Sequence, residues 1–140
     1  MKSTFILFFA LLVFPFSLSY SQASSLANKD DASRLCDDVL FALEKSETLS
    51  AMKLLRGKTT QGEKILTELI AFLEISASKY GKIQGSNLAK TQGIDEDIFR
   101  FTYALRYEQH PVWLQFYFYK VKGALELKKI AWGEEMSELF

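Results

Sequence analysis

The chain has a single cysteine and a single histidine in 140 residues. One thiol cannot close an internal disulfide, so the small disulfide scaffolds are excluded. One imidazole cannot supply a two-histidine metal site, and no cofactor is implied. Charge of one sign is also missing: 17 Lys and Arg balance 17 Asp and Glu. A dedicated nucleic-acid binder normally carries a basic excess, so that class is not expected. No apolar run is long enough to span a bilayer, which takes roughly 20 residues. What the chain does have is apolar residues, 49% of the total. That share is too high for a disordered protein. The length fits one domain.

The longest apolar run, Phe5 to Phe16, follows Lys2 and precedes the small and polar residues Ser17 to Ser25. A charged start, a short apolar stretch and a small-residue exit predict a cleaved signal peptide over 1–21. Cleavage after Ser21 or after Ala23 satisfies the small-x-small rule. The expectation is a periplasmic or secreted protein with no stable membrane span after processing. Residues 22–30 read as a flexible polar lead-in, and 31–140 as the domain.

From Asp31 the pattern is helical, with Leu35, Val39 and Leu43 at steps of four and Cys36 beside them. That placement predicts a buried, inert thiol. A short helix is expected from about Ser50 to Arg56. A third runs from the capping-box sequence Thr60-Gln61-Gly62-Glu63 to Tyr80, with Gly81 as its stop. After Gly81 the period changes to two. Lys82 to Thr91 is a weak strand, and Gln92 to Asp97 a turn. From Ile98, the residues Phe99, Phe101, Tyr103, Leu105 and Tyr107 share one face, opposite Arg100, Thr102 and Arg106. Gln109-His110-Pro111 breaks the run. A second strand alternates Val112, Leu114, Phe116 and Phe118 with Trp113, Gln115, Tyr117 and Tyr119. Lys122-Gly123 marks a hairpin. In the last strand Leu125 and Leu127 differ in parity from Ile130 and Trp132, which predicts a bulge near Lys128-Lys129. The fold class is α+β: about three N-terminal helices on a three- to four-stranded antiparallel sheet, expected to be curled.

Ala51-Met52-Lys53-Leu54-Leu55, the Tyr80-Gly81-Lys82 helix exit and the hairpin strand Trp113 to Lys120 carry a resemblance. Over roughly 31–133 the chain resembles the nuclear transport factor two-like fold, a cone-shaped α+β group allied to cystatin-like domains. Small secreted bacterial domains of uncharacterised function often have this layout. The resemblance implies a curled sheet around a cavity, with an enzyme, a non-catalytic dimer or an accessory domain as the possible functions. Catalytic members usually place an Asp–His or Tyr–Asp set inside the cone. His110 departs from that pattern, because it falls in a predicted turn.

Tyr103, Asp97 and His110 remain the acid/base candidates for a small isomerase or hydrolase, each with an ordinary structural explanation. Asp95, Glu96 and Asp97 form a run too short for a calcium loop and read as a solvated turn. The rings of Trp113, Tyr117 and Tyr119 have the parity opposite to the core on their strand. With Arg100 and Arg106 at their rim they have the composition of an interface. The expected function is therefore a non-catalytic interaction module, forming a homodimer or binding a protein partner through this face. A small apolar-ligand carrier is the alternative alongside the pocket enzyme.

Overall fold

A computed structural model describes residues 25–140. The expected signal peptide and both cleavage points lie outside the described residues. Helix α1 spans Lys29–Glu44, α2 Thr48–Leu55 and α3 Gly62–Tyr80. Strands β1 (Ile83–Gly93), β2 (Ile98–Tyr107), β3 (Pro111–Val121) and β4 (Ala124–Gly133) follow, then a 3-10 turn, Met136–Leu139.

Local chemistry explains most of these boundaries. Asn28 caps α1: its Oδ1 accepts from the Asp31 amide at 3.0 Å, and Asp31 Oδ2 accepts from the Ala27 amide at 3.1 Å. One orphan donor of the helix and one amide of the preceding segment are thereby satisfied, and Asp30 and Asp31 add negative charge to the positive helix end. The expected capping box at α3 does not form. Gln61 occupies the N-cap without a side-chain bond, and the Thr60 hydroxyl donates instead to Glu126 on β4. Gly81 ends α3 at φ +83°, a conformation that costs glycine little. Leu26 is buried and bridges Leu125, so one residue of the expected lead-in is anchored to the sheet.

The four strands form an antiparallel meander in the order β1-β2-β3-β4. Between β2 and β3 the register runs unbroken from Ile98 opposite Tyr119 to Arg106 opposite Pro111. Irregularities fall only on the outer strands. Gln84 and Ala89 are extra residues in β1, and Lys128 is extra in β4. The last is the bulge that the parity change calls for. It lets Leu127 and Ile130 reach the same buried face.

Helices pack against one side of the sheet, α1 over β1 and α3 over β4. Phe99, Phe101 and Phe118 meet in stacked and edge-on pairs 5.3–5.9 Å apart. Tyr103 meets Phe116 edge-on at 5.9 Å, and Phe72 and Leu69 of α3 are fully buried. Cys36 is buried as expected.

The sheet is open and uncurled, which corrects the expectation of a curled, cone-shaped fold. The nuclear transport factor two-like and cystatin-like resemblance therefore does not hold. Bending a sheet requires bulges in its body. Here the central pair has none, and the aromatic rings fill the space that a cone would leave between layers. No described helix is long and apolar enough to cross a membrane.

Candidate functional site

The helices leave the other face of the sheet to be organised by strand register. Three cross-strand rows lie on it: Gln92-Arg100-Tyr117-Lys129, Lys90-Thr102-Gln115-Ala131 and Asn87-Ala104-Trp113-Gly133. Ile98 sits opposite Tyr119 at one end, and Arg106 opposite Pro111 at the other. The expected interface residues Trp113, Tyr117, Tyr119, Arg100 and Arg106 are thus brought onto one surface.

A chain of hydrogen bonds runs across this face. Arg100 Nε donates to Gln92 at 3.0 Å, and its Nη1 donates to the Tyr117 hydroxyl at 3.0 Å. That hydroxyl donates to Gln115 Oε1 at 2.8 Å. Gln115 Nε2 donates to Thr102 Oγ1 at 3.1 Å and to Glu138 Oε2 at 3.3 Å. The direction is forced at both ends. Arg100 can only donate and the Glu138 carboxylate can only accept, so the tyrosine and the amide must pass donors one way. Arg100 and Lys129 also approach the Tyr117 ring, each 5.7 Å from its centroid. Such contacts favour a cation over an aromatic face.

The Met136–Leu139 turn covers the middle of the face. Beneath it Thr102 and Gln115 are buried, at 0% and 2% exposure. The turn itself buries none of its own residues. The Trp113 ring lies over Gly133, where an added Cβ would come within 2.5 Å of the indole. The indole N–H is buried without an acceptor. Beyond the turn the surface is open: Ile98 is 43% exposed, Tyr119 48% and the hairpin residue Ile94 82%.

The sequence reading of this face missed Thr102 and Gln115 as its buried polar centre, and Lys90, Lys129 and Glu138 as its charges. Strand parity alone identifies Gln115, between Trp113 and Tyr117. The weak alternation of β1 and the bulge at Lys128 obscured the two lysines. No local signal in the sequence seats Glu138 on the sheet.

The three acid/base candidates are not brought together. Tyr103 lies under α1 and donates to Asp37 Oδ1 at 2.9 Å. Burial, ahead of the neighbouring Cys36 and Asp37, pushes its phenol far above the usual tyrosine range. Asp97 is in the β1–β2 hairpin and pairs with Lys120 at 2.9 Å. His110 stacks on Tyr80, with centroids 5.2 Å apart. Asp97 and His110 flank opposite ends of a ten-residue strand, about 30 Å long at the usual rise per residue. Asp95 behaves as a turn former, its carboxylate accepting from the Asp97 and Ile98 amides. Among the described residues no cluster of His, Cys, Asp and Glu is arranged to hold a metal ion.

A separate groove of about 420 Å³ lies between the end of α1, α3 and the start of β1. Leu43, Ile70, Leu73, Ala77 and Ile83 supply its apolar walls, and Tyr107 closes one side. The Tyr107 hydroxyl is already engaged with Ser76 Oγ at 2.7 Å.

No protein-family model and no curated protein sequence matches this chain.

Proposed function

We propose that this protein is an exported, non-catalytic interaction module that engages a partner through the outer face of its sheet. The observation that carries the reading is the row Arg100-Tyr117-Lys129, with Trp113, Tyr119 and Ile98 around it, on the face opposite the three α-helices. Aromatic rings and Arg at the centre of a surface are the composition of protein interfaces. A three- to four-stranded face offers about 600 Å² at ordinary strand spacing and rise. A second molecule that displaces the Met136–Leu139 turn from that face would bury about 1,200 Å² in total, the lower end of the stable range.

Sedimentation of the exported chain at tens of micromolar tests the second-copy form of this reading. Ile98→Ser with Tyr119→Ser should abolish association while leaving the melting temperature within a few degrees. Association that survives the pair of substitutions would put the site elsewhere and sink the proposal.

The groove beside α3 favours a second reading, a carrier of small apolar ligands. Its volume falls within the range of ligand pockets, roughly 300–1,000 Å³, and its walls are largely apolar. An environment-sensitive fatty-acid probe should brighten on the native chain and fail to do so on Ala77→Trp. An unchanged response would reject the groove as the site.

A further inference from the structure

Four cations belong to the outer face by register: Lys90, Arg100, Arg106 and Lys129. None of them forms an ion pair among the described residues. The segment from Glu134 to Phe140 has three glutamates and no cation, and its Met136–Leu139 turn lies against β2 and β3 on the same face. Glu134 is held at its start by Lys79, and Glu138 sits on Gln115 in its middle. The grip is light: no residue of the turn is buried, and Phe140 is 92% exposed. On the same face the Trp113 indole N–H is buried without an acceptor.

We propose that the outer face is a receptor for an acidic peptide segment with apolar side chains, and that Glu134–Phe140 occupies it in cis as a built-in competitor. This rests on the reading of the outer face as the binding surface. The cis segment displays the chemistry that the face accepts: a carboxylate on the Gln115 amide, flanked by Met136 and Leu139. A partner peptide placing carboxylates on Arg100, Arg106 or Lys129 would neutralise charges that the cis segment leaves unpaired. An acidic peptide is favoured over a nucleic acid on two grounds. The charge already seated on the face is a carboxylate. The chain as a whole, with zero net charge, also lacks the long-range field that concentrates phosphates.

A tethered segment competes at an effective concentration in the millimolar range. For a cis contact of about 0.1 mM intrinsic Kd, loosening it should strengthen binding of a free peptide about tenfold. The probe is a fluorescent synthetic peptide with the sequence Glu134–Phe140, followed by anisotropy. It is titrated onto the exported chain and onto the full-length variant Met136→Ser/Glu138→Gln/Leu139→Ser, with circular dichroism confirming that both are folded. Tighter binding to the loosened variant is expected. That binding should weaken at high salt, and also when Arg100→Gln and Lys129→Gln are added. Equal affinity for both chains would overturn the competitor role. Equal binding of an all-glutamine version of the peptide would overturn the acidic specificity. Salt-dependent binding of a single-stranded DNA oligonucleotide in place of the peptide would overturn the partner class. If the loosened variant ignores the peptide but self-associates, and Tyr119→Ser removes that association, the face still binds and only the acidic partner is wrong. If it does neither, both readings fail.

Discussion

At the scale of single residues, two buried arrangements have measurable consequences. Burial pushes the Tyr103 and Tyr107 phenols above their ordinary value of 10.0, and the Cys36 thiol well above 9.0. Each group keeps its proton in the folded state after the unfolded chain would have lost it. The native state then binds more protons than the unfolded one, and stability falls as pH rises. The expected loss begins near pH 9, where the unfolded thiol ionises, and steepens above pH 10. Thermal melts across pH 7 to 11 would show it, and a flat profile would contradict it. Gly133 offers a second test. Replacement by Ala pushes a methyl group into the Trp113 indole, and overpacking of this kind costs about 1–3 kcal/mol. Denaturant unfolding should show the loss, together with a change in tryptophan emission as the ring swings away.

The elements differ in how far they could be read from the residues, and the reason is physical. In β2 and β3 the helix-facing residues from Phe99 to Tyr107 and from Val112 to Phe118 are all buried and apolar, so these stretches declared their orientation. β1 has no such contrast: among its eleven residues Gly85 alone is buried, so its period is faint. The α3 cap was misread because Thr60 has a tertiary partner, Glu126, that sequence spacing cannot reveal. The curl was misread for a related reason. Curvature of a meander is set by bulges in its central strands, and the alternation of β2 and β3 does not reveal that their register runs unbroken. The candidate site was legible as three rings and two arginines. Its cover was not, because Glu134–Phe140 lies 20 residues and more from Trp113 in the chain. The β4 bulge yields an element-scale prediction. Deleting Lys128 restores simple alternation and keeps Leu127, Ile130 and Trp132 on the buried face. Deleting Ala131 turns Trp132 outward. The first deletion should fold with a modest loss of stability, whereas the second should lose its cooperative transition in calorimetry.

For the molecule as a whole, the N-terminal pattern is tested by mass. Protein recovered from its native host should begin at Gln22 or Ser24, and an intact mass retaining Met1 would reject cleavage. The two margins of the sheet are finished differently. On β4 the Leu125 amide donates to the Leu26 carbonyl at 2.8 Å, and the Leu127 amide to the Lys58 carbonyl at 3.0 Å. That margin is closed by the chain itself. Among the described residues β1 has no such cover, but its extra residues at Gln84 and Ala89 leave only Gly85 to Leu88 in regular register between them. Cross-β stacking draws on uninterrupted segments of about six or seven residues with high β-propensity. A four-residue stretch of Gly, Ser, Asn and Leu is a poor template for adding another chain. The interruptions that made β1 hard to recognise thus guard the protein against fibril growth from its exposed side.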